Sequence, residues 1–148
     1  MKQLLRALAS CALVGFIQAG CQSSGQMATK SAEPAPTVNP DLRVDVSLAS
    51  QGESVYTRQG CYMCHRIGEG RAAGPDLFGV TERRTVDWLT SFLKDTGSML
   101  ASDPIAQALL EEFNHQRMPD FTFTDAQITA LIHYLQDTTN RKRSGAGE

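Results

Sequence analysis

The chain reads as an all-α domain of about four helices, and three observations carry that reading. Apolar residues recur at three- and four-residue spacing in four separate windows, oxygen-bearing side chains stand where helix N-termini need acceptors, and alternating strand-like runs are scarce. The first window, residues 47–58, sets Leu48, Gly52, Val55 and Tyr56 at helical spacing. The second, residues 85–96, places Leu89, Phe92 and Leu93 on one face, with Thr85 as N-cap and Asp87 as a first-turn acid favourable to the helix dipole. The third opens on Asp103 and Pro104, an N-cap followed by proline at the first helical position, and runs to Phe113. The fourth has the strongest local signature. Thr124 and Gln127 form a capping box, Phe123 can staple onto Ile128, and Ile128, Leu131, Ile132 and Leu135 carry the period to about residue 137.

Composition divides the 148 residues around those helices. In residues 1–20, Lys2 and Arg6 precede an apolar run over residues 7–17, and the first acid is Glu33. This is the pattern of an export signal peptide, with an apolar run too short to span a bilayer comfortably. Residues 21–44 are rich in Ser, Ala, Pro and Thr, without a period that could bury a face, and read as a flexible linker. One folded domain is then expected over residues 45–139, and a basic-then-glycine disordered tail over residues 140–148. A domain of roughly 95 residues gains from a buried cofactor. The formal charge of −2 becomes about −4 once Lys2 and Arg6 leave with the leader, so the chain offers no basic face for nucleic acid.

The chemistry concentrates in CYMCH, residues 61–65. Two thiols at the spacing of Cys61 and Cys64 can add to the two vinyl groups of a haem, leaving the imidazole of His65 to reach iron from one face. A redox dithiol, a local disulfide and half a zinc site are the alternatives. The dithiol lacks the expected βαβ context, and zinc lacks ligands, because the other cysteines, Cys11 and Cys21, stand in the leader region and His115 and His133 lack finger spacing. Gly74 and Pro75, nine and ten residues after His65, are either a plain turn or the acceptor that fixes its ring, since proline keeps its carbonyl and glycine permits close approach. For the opposite face of the iron Met118 is the best candidate, because Pro119 biases it into extended loop geometry. Met99 and His115 remain open, as does an unfilled site; Met63 lies inside the attachment loop and His133 among packing residues.

Together these residues resemble the class I cytochrome c family over residues 47–137. Gly52 and Tyr56 look like that family's glycine and aromatic on a first helix, crossing the last helix at Leu131 and Tyr134. GPDL at residues 74–77 matches the stretch whose proline carbonyl accepts from the ligand histidine, and Met118-Pro119 matches the axial methionine loop. The resemblance implies one covalently bound haem c, held by Cys61, Cys64, His65, Pro75 and Met118, with Trp88, Arg83 and Arg84 as partners for its carboxylates. It implies a one-electron carrier and not an enzyme, passing electrons from a membrane donor to a terminal reductase or oxidase. Residues 102–114, SDPIAQALLEEFN, look similar to small cytochromes associated with copper-dependent reductases, including nitrous-oxide reductase. The alternatives are a haem enzyme or gas sensor with an open sixth position, and a cytochrome subunit of a respiratory complex. Ala19-Gly20-Cys21 resembles the lipobox of bacterial lipoproteins, in which Cys21 would be lipidated and tether the domain to a bacterial membrane in the periplasm or at the cell surface. Gln18 stands where that pattern prefers an aliphatic residue, and plain secretion is the alternative.

Overall fold

Capping chemistry sets the helix starts. In the computed structural model, which describes residues 42–146, Asp45 accepts from the N–H groups of Ser47 and Leu48 at 2.8 and 3.0 Å and opens α1 (Val46–Arg58). A 3₁₀ turn (Cys61–Met63) and a single helical turn, α2 (Val80–Arg83), follow. Thr85 accepts from the Trp88 N–H to start α3 (Val86–Lys94), Asp95 from Ser98 to start α4 (Thr96–Ser102), and Asp103 from Ala106 to start α5 (Pro104–Glu112). The capping box at Thr124 and Gln127 is complete and opens α6 (Asp125–Arg143), and Phe123 and Ile128 are both buried in the core.

The all-α class stands, with six α-helices in place of the four expected and no strand among the described residues. The window at residues 85–96 ends early because Asp95, at φ −146° and ψ 76°, leaves helical geometry to cap the next helix, so α3 and α4 are separate. The four residues of α2 are too few for a period to register in sequence. The expected tail is corrected as well. α6 continues to Arg143, where Lys142 pairs with Glu69 at 3.0 Å and Arg143 pairs with both carboxylate oxygens of Glu82 at 2.8 and 2.9 Å. Cations at a helix C-terminus also suit its dipole.

The crossing of α1 over α6 organises the core. A Cβ at Gly52 would lie 2.0 Å from the Ala130 carbonyl oxygen and 2.7 Å from the Tyr134 Cβ, so only glycine lets the helices meet this closely. Four residues along α1, the Tyr56 ring packs on Tyr134 with centroids 5.3 Å apart. Ala130 and Tyr134 meet Gly52 directly, and Leu131 lies in the same buried cluster as Val55 and Tyr56 of α1, together with Ile67, Leu89, Ile128, Ile132 and Leu135. Leu42 packs against the same core and the Asp45 N–H donates to His133 Nδ1 at 3.1 Å, so the end of the expected linker belongs to the domain. The leader, most of the linker and Cys21 lie outside the described residues. Among the described residues no helix is long and apolar enough to cross a membrane.

Candidate cofactor site

Gly60, at φ 71°, turns the chain out of α1, and the 3₁₀ turn that follows brings Cys61, Cys64 and His65 within one turn of backbone. The N–H groups of Cys64 and His65 both donate to the Cys61 carbonyl, at 3.2 and 2.9 Å. Both thiols are half-buried and free, so no disulfide closes between them. Burial pushes the Cys61 thiol above its usual pKa, against the opposing effect of a backbone hydrogen bond. Among the described residues no cluster of three His, Cys, Asp or Glu side chains could hold a metal ion.

His65 is fixed from several directions. The Gly74 N–H donates to the Cys64 carbonyl and the Leu77 N–H to the Arg66 carbonyl, each at 2.8 Å, and between these two ties the imidazole Nδ1 donates to the Pro75 carbonyl at 2.9 Å. A carbonyl can only accept, so the proton sits on Nδ1 and Nε2 keeps its lone pair. Burial lowers the ring's pKa and the Pro75 bond partly offsets it. A Cβ at Gly74 would come within 2.7 Å of the ring's Cε1 and 3.0 Å of Nδ1, so the glycine is the cradle for the imidazole. The His65 carbonyl accepts from the Tyr56 hydroxyl at 3.2 Å and from Arg66 at 3.3 Å. Burial first, and then Tyr134, push the Tyr56 hydroxyl far above its usual pKa, which keeps it a donor.

Asp76, which sequence reasoning missed, closes the loop beneath the ring. Its carboxylate accepts from the N–H groups of Gly68 at 2.8 Å, Gly70 at 2.6 Å and Phe78 at 2.8 Å. Partial burial alone would raise this carboxyl, but the N–H donors of Gly68, Phe78, Gly70 and Glu69 together hold it below the usual range. Gly68 and Gly70 take φ 82° and 87°, a backbone that other residues adopt at a cost. A Gly-x-Gly pair upstream of a loop aspartate was the available signal.

Met118 comes from a different stretch of chain. It is half-buried within residues 113–124, a stretch without helix or strand between α5 and α6, in keeping with the extended geometry imposed by Pro119. Of its rivals, Met99 lies on α4, His115 is exposed at φ 59°, Met63 is exposed, and His133 Nδ1 is occupied by the Asp45 N–H. The residues expected near haem carboxylates have other partners here. Trp88 Nε1 donates to Asp103 at 3.2 Å, the Arg84 guanidinium lies 5.6 Å from the Trp88 ring centroid, and Arg83 donates to the carbonyls of Phe78 and Asp76.

A family model described as cytochrome c matches residues 49–139, a span that holds both helices of the crossing, the CYMCH turn, Pro75 and Met118. The chain belongs to the cytochrome c family. Its helical frame is shared by a cytochrome c from Rhodothermus marinus, 28% identical with a TM-score of 0.62 over 67% of this chain and 83% of that one. The cytochrome c domain of the pp3183 protein from Pseudomonas putida is 37% identical, with a TM-score of 0.55 over 66% of this chain and 95% of that domain. An engineered form of the Rhodothermus marinus protein, bound to a carbene intermediate, is 27% identical with a TM-score of 0.59 over 70% of this chain and 87% of that one. No curated protein matches significantly. The cofactor of this cytochrome c is covalently bound haem c, and its role is that of an electron carrier. The site fits the group, with two free thiols one turn apart, a neutral imidazole with an unprotonated Nε2, and a glycine cradle under the ring.

Proposed function

We propose that this cytochrome c is an exported one-electron carrier whose haem is bonded through Cys61 and Cys64 and whose iron is ligated by His65 on one face and Met118 on the other. The observation that carries the reading is the anchored imidazole, with Nδ1 committed to the Pro75 carbonyl at 2.9 Å and Nε2 left to ligate. The haem supplies a one-electron couple when bound. Cys61 and Cys64 would hold the group, and the Pro75 bond would keep one tautomer of His65 in both redox states. Met118 would supply a thioether ligand, which leaves no position free for substrate and favours the reduced state relative to harder ligands.

Electrons are proposed to enter and leave beside the attachment turn, where Tyr62 and Met63 are 52% and 68% exposed. The charged side chains of the same segment have partners of their own. Arg66 bonds the Tyr62 and His65 carbonyls, Arg71 pairs with Glu112, and Glu69 with Lys142. Apolar contact is therefore the proposed mode of docking, suited to small, short-lived encounters with weak salt dependence. The partners in this reading are a membrane donor and a terminal reductase or oxidase; the likeness at residues 102–114 favours a copper-dependent reductase such as nitrous-oxide reductase. The leader and Cys21 support a lipid-anchored position in the periplasm or at the cell surface.

An intact-mass measurement on the mature protein tests both attachments. A chain beginning at Cys21 with haem and acyl mass is expected; haem without acyl mass rules out the tether, and absence of haem overturns the reading. Ferrous protein should not bind carbon monoxide readily. Ready binding would favour the haem enzyme or gas sensor, and a stable stoichiometric partner on purification from the native membrane would favour a subunit of a respiratory complex.

A further inference from the structure

Arg71 joins two parts of the molecule that sequence separates by 41 residues. On one side it belongs to the loop that presents Pro75 to His65. Its neighbour Gly70 is held by Asp76 at 2.6 Å, and the Ala72 N–H donates to the Gly74 carbonyl at 3.3 Å. On the other side its guanidinium reaches the end of α5. One nitrogen donates to the Glu112 carboxylate at 3.2 Å, another to the Glu112 main-chain carbonyl at 2.5 Å, and the group lies 4.0 Å from the centroid of the buried Phe113 ring.

Phe113 is where the stretch bearing Met118 begins. The Gln116 N–H returns to the Phe113 carbonyl at 3.0 Å, and Asn114 and His115 take φ 53° and 59°, so the chain leaves α5 through a tight left-handed bend. Farther along, a Cβ at Gly97 would lie 3.5 Å from an Asp120 carboxylate oxygen and 3.9 Å from the Arg117 guanidinium, which seats the arc against the start of α4. An exposed ion pair alone contributes little to such a junction. A charged hydrogen bond to a carbonyl and a cation stacked on a buried ring contribute more, and neither depends on the Glu112 carboxylate.

We propose that Arg71 is a positioning residue for Met118, fastening the loop that orients His65 to the point from which the methionine arc departs, so that its loss raises the population in which the thioether has left the iron. This rests on the axial role of Met118. Lysine can keep the ion pair but lacks the planar fork that bonds carbonyl and carboxylate while covering the ring.

The test is a titration of the ferric, haem-loaded protein with imidazole, which competes with Met118 for iron and whose apparent affinity scales with the methionine-off fraction. Arg71→Gln should bind imidazole about tenfold more tightly than the wild type, with Arg71→Lys between them and Glu112→Gln close to wild type. In a Met118→Ala background, Arg71→Gln should produce no further change, an outcome that general loosening of the fold would not give. Equal affinities for the wild type and Arg71→Gln overturn the inference, as does the same gain in both backgrounds. A wild type that binds imidazole as tightly as Met118→Ala instead overturns the axial role of Met118.

Discussion

Between Cys61 and Phe78 the polar groups bearing on His65 are tied pair by pair, whereas between Phe113 and Thr124 the chain is ordered by buried rings. In the first region the ring nitrogen, the histidine carbonyl, both flanking carbonyls and the loop beneath have partners within 3.3 Å. In the second, hydrogen bonds gather near Phe113 and at the Thr124 cap, Phe121 and Phe123 pack with ring centroids 5.2 Å apart just ahead of that cap, and Arg117 and Asp120 lie against Gly97. Close packing and satisfied polar groups set local opening energies, so the histidine side should hold its geometry while the methionine side yields first. In the proposed carrier this division would keep the histidine ligand constant through each redox cycle and leave the methionine to respond to its surroundings.

The contrast can be broken from its foundation outward. Gly52→Ala drives a methyl into the Ala130 backbone carbonyl, which cannot swing aside, and should cost more than about 3 kcal/mol, read by thermal or denaturant unfolding. Gly74→Ala pushes on the imidazole and should cost about 1–3 kcal/mol, read by thermal or denaturant unfolding. Asp76→Asn removes charge from a carboxylate with three backbone donors and should cost about 1 kcal/mol at neutral pH. Because the folded pKa of Asp76 is depressed, its contribution is present above the unfolded value of about 3.9 and fades as pH falls through the folded one. The variant should therefore lose less stability than the wild type on acidification below about pH 4. Phe121→Leu, in the methionine arc, should cost less than about 1 kcal/mol yet increase imidazole binding by ferric protein, whereas Asp76→Asn should leave that binding unchanged.

How far the sequence could be read follows the same division between local and distant causes. The CYMCH turn, the Thr124 capping box and the Asp103-Pro104 start are written in adjacent residues, and the structure places them as read. Gly74 and Pro75 were legible as candidates because they stand nine and ten residues from His65; the Pro75 carbonyl accepts from its ring at 2.9 Å, and Gly74 lies against that ring. The break at Asp95 was hidden because an aspartate that ends one helix and caps the next looks like an ordinary polar position within a longer one. The last four residues of α6 read as tail because the partners of Lys142 and Arg143, Glu69 and Glu82, lie more than 60 residues away. Tyr56 was read for its ring, but its hydroxyl bond to the His65 carbonyl depends on how α1 lies over the turn. That Gly52 meets the backbone of Ala130 was hidden as well, because periodicity marks apolar side chains and not the point where two backbones touch.

The most direct test of the account is the ferric visible spectrum of the haem-loaded wild type beside that of Met118→Ala. The account predicts a weak far-red thioether-to-iron band in the wild type, its loss in Met118→Ala, and nearly unchanged unfolding of the two proteins. A wild type without that band, or a band that survives removal of Met118, would contradict it.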